Sequence, residues 1–206
     1  MSEEYAFRVI LLFLFIAFVV VWVRNLISVG ASRHVWYDST EGPAIAIPIR
    51  LLLLASIVGI VTYLTQPARM NWAAAGFPAC LRWVGLFLGI TGLGLFTWVL
   101  QTLGRNFSTS LAVKKQQTLI THGPYRWVRH PMYTAFIILW VSFCLLSANW
   151  FIGLTGLAAY GLTVIVRTPK EEKMMLEVFG MEYKNYMART GRYLPPWSWS
   201  RKKKGQ

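Results

Sequence analysis

Five long apolar stretches of this 206-residue chain point to membrane-crossing helices. They run from Tyr5 to Val23, Ala44 to Thr65, Leu81 to Leu103, Met132 to Ser147 and Trp150 to Val166. About 20 apolar residues are required to cross the hydrocarbon core of a bilayer. The fourth and fifth stretches are shorter than that, and their flanks can extend them. Only Ala148 and Asn149 separate these two, which predicts a tight antiparallel helical hairpin. The first stretch follows Ser2, Glu3 and Glu4, not a basic segment, and lacks a small-residue cleavage site. It therefore reads as a retained span, not a signal peptide.

Composition agrees with a bilayer as the solvent. Charged residues make up 14% of the chain, against about 25% in soluble domains, and 55% of it is hydrophobic with a mean hydropathy of +0.45. The expected architecture is all-α and integral to the membrane. It has about five transmembrane helices, a C-terminal amphipathic helix and a polar cytoplasmic loop. One membrane domain is expected to fill 1–206: N-terminal helices over 1–103, a region carrying the polar motifs over 104–195 and a basic tail over 196–206.

The net charge of +13 would suggest nucleic acid in a soluble protein. Here the basic residues gather between and after the apolar spans, so anionic lipid headgroups are the expected partner and nucleic acid is not. No motif requires an obligate protein partner. With five spans, 18 of the 21 basic residues fall on one side, including ten from Arg167 onward. The bias of Lys and Arg toward the cytoplasm then predicts an outside N-terminus and a cytoplasmic C-terminus, in the inner membrane if the source is a prokaryote. Ten Trp and nine Tyr, among them Trp36, Tyr37, Trp72, Trp150, Trp197 and Trp199, suit interfacial belts near span ends. Cys80 and Cys144 form no paired motif; both fall near the outer ends of spans, so a disulfide is open to them, but two free buried thiols are the expected state.

Gly85, Gly89, Gly92 and Gly94 crowd the third span. A dinucleotide fingerprint would need a strand before them and a helix after. Inside an apolar span the spacing predicts close helix packing instead, so no soluble dinucleotide site is expected.

Two polar stretches remain. Thr121 to Tyr133 reads THGPYRWVRHPMY and joins spans three and four. Gly123-Pro124 marks a turn. Tyr125, Arg129 and Tyr133 are four apart, so a helix would stack them on one face, where Arg129 can hold a carboxylate. The same residues also suit a plain interfacial anchor. The second stretch, Arg167-Thr168-Pro169-Lys170-Glu171-Glu172, follows span five. Thr168, Pro169 and Glu171 can form the capping box of a new helix. Equally, Arg167 and Glu171 can pair across one turn, with Glu172 left over for function. From Met174 to Met187 the apolar residues keep helical spacing across Gly180, which predicts the amphipathic helix, lying on the membrane or folded over the loop.

The run GPYRWVRHPMY, followed by EE and then by FGMEYKNYMARTGRYLP, resembles the isoprenylcysteine carboxyl methyltransferase family, within a wider phospholipid methyltransferase-like membrane superfamily. The similarity spans roughly Leu103 to Pro195. It implies a membrane enzyme that transfers a methyl group from S-adenosylmethionine, releasing S-adenosylhomocysteine, to a hydrophobic or lipid-linked acceptor, and no metal. Position by position, it implies a catalytic region over 104–195 with a cytoplasmic cofactor-binding loop, in which Gln117, Thr118, Leu119 and Ile120 lie along the cofactor and Tyr125, Arg129, His130, Pro131, Met132 and Tyr133 line its pocket. Glu172 matches an acid that binds cofactor. Arg167 and Glu171 match the pair that lines the acceptor site. The chain departs from the pattern at Ala135, where a glycine is common, and at Pro169. Other acceptors, a phospholipid amine or a small hydrophobic thiol, stay open at this stage. So do an NADPH-dependent sterol-reductase-like enzyme and a non-catalytic membrane scaffold.

Overall fold

A computed structural model describes residues 3–28, 42–104 and 118–196. Within them the chain forms five long helices and no named strand: α1 (Glu3–Ser28), α2 (Pro43–Thr65), α3 (Ala79–Leu103), α4 (Pro131–Ser147) and α5 (Trp150–Arg189). Short 3-10 segments cover Pro67–Ala73 and Gly123–Arg126. By length and composition α1, α2, α3 and α5 can each cross a membrane. Helix α4 has 17 residues, which at 1.5 Å per residue is about 25 Å, short of a ~30 Å hydrocarbon core. It nevertheless joins the two ends of the bundle: His130, just before it, meets Glu172, and the Leu146 carbonyl at its far end meets Arg82.

The glycines of α3 behave as the spacing predicts. Helix α3 packs along α4, and α2 along α5. A Cβ at Gly85 would sit 2.8 Å from Leu145 Cβ and 3.1 Å from the backbone nitrogen of Leu146. One at Gly89 would meet Leu14 and Ser142, and one at Gly92 would meet Ile138 and Leu139. Ser142 donates to the Gly85 carbonyl at 2.7 Å across the same contact. Because backbone faces Gly85, Gly85→Val forces two helices apart, and overpacking of this kind costs about 1–3 kcal/mol. Thermal unfolding in detergent should show a lower melting temperature; an unchanged one would contradict this packing.

The predicted hairpin between α4 and α5 is present. Ala148 takes a left-handed turn (φ 44°) and the Asn149 side chain accepts from the Ile152 amide. Asn149 Nδ2 also donates to the Met70 carbonyl at 3.2 Å, pinning the hairpin to the segment after α2. Cys80 and Cys144 are both free, but neither is fully buried as expected: Cys80, at the start of α3, is exposed and Cys144 is half-buried.

At this end of the bundle a buried arginine ties four helices. Arg82 donates Nε and Nη2 to the Leu146 carbonyl, donates Nη2 to the Tyr63 hydroxyl, and pairs through Nη1 with Glu4. Its guanidinium lies 4.2 Å over the Phe7 ring. Charge counting treats Arg82 only as a loop cation, whereas its environment is a saturated hydrogen-bond set of the kind a buried charge requires.

Helix α5 departs from expectation in two ways. Thr168, Pro169 and Glu171 do not cap a new helix, because α5 runs through them with Pro169 inside it. The break comes later, at Gly180 (φ 51°, ψ −122°), a left-handed backbone conformation that glycine adopts without penalty. Beyond that kink Tyr183 and Tyr186 are buried and the Tyr186 hydroxyl reaches the Tyr125 carbonyl, so this part of the amphipathic segment folds over the loop before α4, while Met181 stays exposed, as does Val178 ahead of the kink.

Candidate active site

The opposite end of the bundle gathers the two polar stretches. Gly123 starts the turn with φ 58°, and a Cβ there would meet Thr102 Oγ1 at 2.7 Å, so the turn lies tight against the end of α3. After the 3-10 turn the chain is irregular, with an isolated bridge between Val128 and Gly191, and helix α4 begins only at Pro131. Tyr125, Arg129 and Tyr133 therefore do not share one helix face, contrary to the sequence expectation. Arg129 and Tyr133 still converge, because residues 127–130 pair with a strap at the C-terminal end of α5. The Arg129 amide donates to the Gly191 carbonyl at 2.8 Å, the His130 amide to the Arg192 carbonyl at 3.0 Å, and the Gly191 amide to the Trp127 carbonyl at 3.2 Å.

Glu172 is the centre of the cluster and is 5% exposed. Its Oε1 accepts from Arg129 Nε at 3.0 Å, from His130 Nε2 at 3.3 Å and from Arg192 Nε at 3.2 Å, and its Oε2 accepts from Arg192 Nη2. Burial pushes the Glu172 carboxyl up, but the hydrogen bonds from His130, Arg192 and Arg129 outweigh it and hold it at about 2. Arg129 has a second task. Its Nη1 donates to the Met187 and Thr190 carbonyls, at 3.2 and 2.6 Å, and so satisfies carbonyls that the end of α5 leaves open.

Glu171 forms the other half. It accepts from the Tyr133 hydroxyl at 2.7 Å and pairs with Arg167 Nε at 3.6 Å, so the i,i+4 pair survives Pro169. His130 bridges the halves, with Nδ1 3.5 Å from Glu171 and Nε2 3.3 Å from Glu172. The ring stacks on Tyr133 with centroids 5.5 Å apart. Only an imidazolium can donate from both nitrogens. Burial lowers the His130 pKa, but the two acids outweigh burial and raise it above its ordinary value.

A raised histidine pKa has a definite consequence for stability. The contribution of His130 is complete below the unfolded value near 6.5 and is lost as pH climbs through the higher folded value. Melting temperature should therefore fall as pH rises above about 6.5, and His130→Gln should flatten that part of the curve. Equal slopes in the two proteins would refute the assignment.

The structure thus brings together Arg129, His130, Tyr133, Arg167, Glu171 and Glu172. Other expected residues lie elsewhere. Pro131 is fully buried at the start of α4, and Met132 packs toward Phe96, Leu100, Ala135 and Leu139. Tyr125 is nearer: its backbone carbonyl accepts from the Tyr186 hydroxyl at 2.6 Å, and its phenol lies close enough to Glu171 to feel that charge. Thr118, Leu119 and Ile120 form an irregular segment leading to the turn, and Gln117 lies outside the described residues. The sequence reading missed Arg192, Tyr193, Thr134 and Thr168 as members. Thr134 donates to the Tyr193 carbonyl at 2.8 Å, and the Tyr193 hydroxyl donates to Thr168 Oγ1 at 2.9 Å. For Arg192 and Tyr193 the signal was the closing T-G-R-Y-L-P of the run quoted above, which carries a cation and an aromatic ring after a glycine; Thr134 and Thr168 carried none.

Residues 83–177 match the model of the isoprenylcysteine carboxyl methyltransferase (ICMT) family. The matched segment runs from α3 through both polar stretches of the site, so the resemblance read from the motifs holds over that segment. Among similar proteins, a probable protein-S-isoprenylcysteine O-methyltransferase of Oryza sativa subsp. indica is 31% identical over 123 residues, covering 56% of this chain and 61% of the rice protein. Protein-S-isoprenylcysteine O-methyltransferase A of Arabidopsis thaliana is 27% identical over 146 residues, covering 65% of this chain and 68% of that one. The protein-S-isoprenylcysteine O-methyltransferase of Rattus norvegicus is 32% identical over 139 residues, covering 62% and 43%. This chain therefore spans about six tenths of the rice relatives' length. In fold it is similar to the solved eukaryotic intramembrane Ras methyltransferase ICMT, with a TM-score of 0.52 and 24% identity over 75% of this chain and 53% of that one.

Proposed function

We propose that this chain is an integral membrane methyltransferase that transfers a methyl group from S-adenosylmethionine to the carboxylate of a prenylated cysteine or a closely similar lipid-borne acid. The observation that carries the reading is the meeting of the two family-matched stretches in one ion cluster, Arg129 and His130 against Glu172, with Arg167 and Tyr133 against Glu171.

The side chains present suit such a donor. S-adenosylmethionine carries a sulfonium, an ammonium and a carboxylate. Two acids and the Tyr133 ring suit the positive groups, and the half-exposed Arg192 suits the carboxylate. When bound, the cofactor supplies an electrophilic methyl whose transfer to a carboxylate oxygen leaves a neutral thioether. An acceptor carboxylate is charged near neutral pH, so this chain need not supply a strong base. Its work is positioning, which in bimolecular reactions is worth orders of magnitude in rate. The Arg167 guanidinium is the group suited to orient a carboxylate, in the two-pronged geometry arginine offers. Glu171 and Tyr133 hold that guanidinium's neighbourhood in place.

Partners follow from the same reading. The acceptor arrives from the bilayer and the polar donor from water, and the cluster lies at the ends of the apolar helices, where both can reach. We assign that end to the cytoplasm on the distribution of Lys and Arg. Calorimetry with S-adenosylhomocysteine on the purified full chain tests the function. Micromolar binding is expected; a folded protein that ignores S-adenosylhomocysteine and binds NADPH would overturn the reading.

A further inference from the structure

Glu172 has three cationic partners, and they are not alike. Arg129 and His130 precede α4, and each side chain is about 10% exposed. Arg129 is also fastened to two carbonyls at the end of α5. Arg192 belongs to the strap, and its side chain is 48% exposed. Its backbone is held by His130, and the next residue is held by Thr134 and Thr168, so the strap stays in place whatever the side chain does. Its Nε and Nη2 reach Glu172, and Nη1 has no hydrogen bond among the described residues. Arg192 is the half-exposed member of a pair whose acid is buried, so its guanidinium can turn to water while Arg129 and His130 keep the Glu172 charge paired. Opening leaves Arg129 and His130 on Glu172 Oε1 and uncovers Oε2.

We infer that Arg192 and Glu172 form a clamp for an amino-acid end, an ammonium and a carboxylate on one carbon, with Arg192 taking the carboxylate and the vacated Glu172 Oε2 the ammonium. The internal pair holds the place of a ligand zwitterion that matches it charge for charge. This deepens the methyl-donor reading and rests on it, because S-adenosylmethionine ends in such a group. The clamp makes the methionine end, not only the purine, a determinant of donor affinity. It also assigns a ligand-contacting role to a residue 20 positions beyond Glu172, outside the segment that matches the family model.

The test compares S-adenosylmethionine with its decarboxylated form, by calorimetry on the full-length wild type and on Arg192→Ala and Arg192→Lys. In the wild type, losing the carboxylate should weaken binding about 30-fold, the worth of a charge-assisted contact. In Arg192→Ala the two ligands should bind within about twofold of each other, and Arg192→Lys should fall between, since lysine keeps charge but not the planar fork. A role for Arg192 in bracing the strap alone would weaken both ligands equally and preserve the 30-fold ratio. That result, or a wild-type ratio near one, overturns the clamp while leaving the methyl-donor reading intact. Wild type that binds neither ligand removes the methyl-donor reading and the clamp with it. Melting curves of both variants confirm that the bundle is folded.

Discussion

Replacing Glu172 with alanine should lower the melting temperature of the detergent-solubilised protein by about 10 °C and should abolish micromolar affinity for S-adenosylhomocysteine. The stability part follows from what the substitution leaves behind. Arg129 and His130 are each about nine-tenths buried and would face one another without their shared carboxylate. Stripping one partner from a buried ion set costs about 3–5 kcal/mol, and in a chain of this size each kcal/mol shifts the melting point by about 2–4 °C. Three effects keep the loss near the lower end. His130 can shed its proton, Arg192 can turn to water, and Arg129 keeps the Met187 and Thr190 carbonyls. Glu172→Gln, which preserves shape and one acceptor, should lose less. Acidification gives an independent check. With the Glu172 carboxyl held at about 2, the stability it contributes is complete above the ordinary carboxylate range and fades as pH falls toward 2. Glu172→Ala should be less sensitive to acid over that interval. A variant that melts within 2 °C of wild type would show that the cluster is ornamental to the fold.

How far the sequence reaches can be judged residue by residue. Membrane helices are legible because each carries its own signal: no other structure satisfies the backbone of a long apolar run in lipid. The glycines of α3 were legible for a related reason, since a missing side chain in a lipid-facing helix serves close approach. Arg167, Glu171 and Glu172 were legible as a group because they sit within two turns of one helix. Met132 shows where local reasoning fails. It adjoins Tyr133, but neighbours on a helix point about 100° apart, and Met132 turns toward Phe96 while Tyr133 reaches Glu171. Contacts between distant positions left no local trace. Arg82 meets Glu4 across 78 positions, and Arg192 meets Glu172 by way of a kink at Gly180 that helical periodicity ran straight through. Pro169 misled in the other direction: it looks like a helix start, yet α5 absorbs it.

The Arg167 side chain gives the sharpest separation of the two halves of the site. On the proposed function, Arg167→Ala should cut turnover of an N-acetylated prenylcysteine about 100-fold, equivalent to ~2.7 kcal/mol of barrier, with affinity for S-adenosylhomocysteine changed less than twofold. The reasoning is geometric. Arg167 pairs with Glu171 and is not among the cations around Glu172, so removing it leaves the Arg129, His130 and Arg192 contacts intact. What is lost is the group suited to orient an acceptor carboxylate, and misplacement by ~1 Å is enough for a loss of that size. Arg167→Lys keeps the charge without the planar fork and should recover about tenfold of the loss. Glu172→Gln should show the opposite profile, with donor affinity falling first. If Arg167→Ala instead loses S-adenosylhomocysteine binding in step with turnover, Arg167 belongs to the donor half and the division of Glu171 from Glu172 fails. If turnover is unchanged, the acceptor carboxylate is oriented by something other than α5.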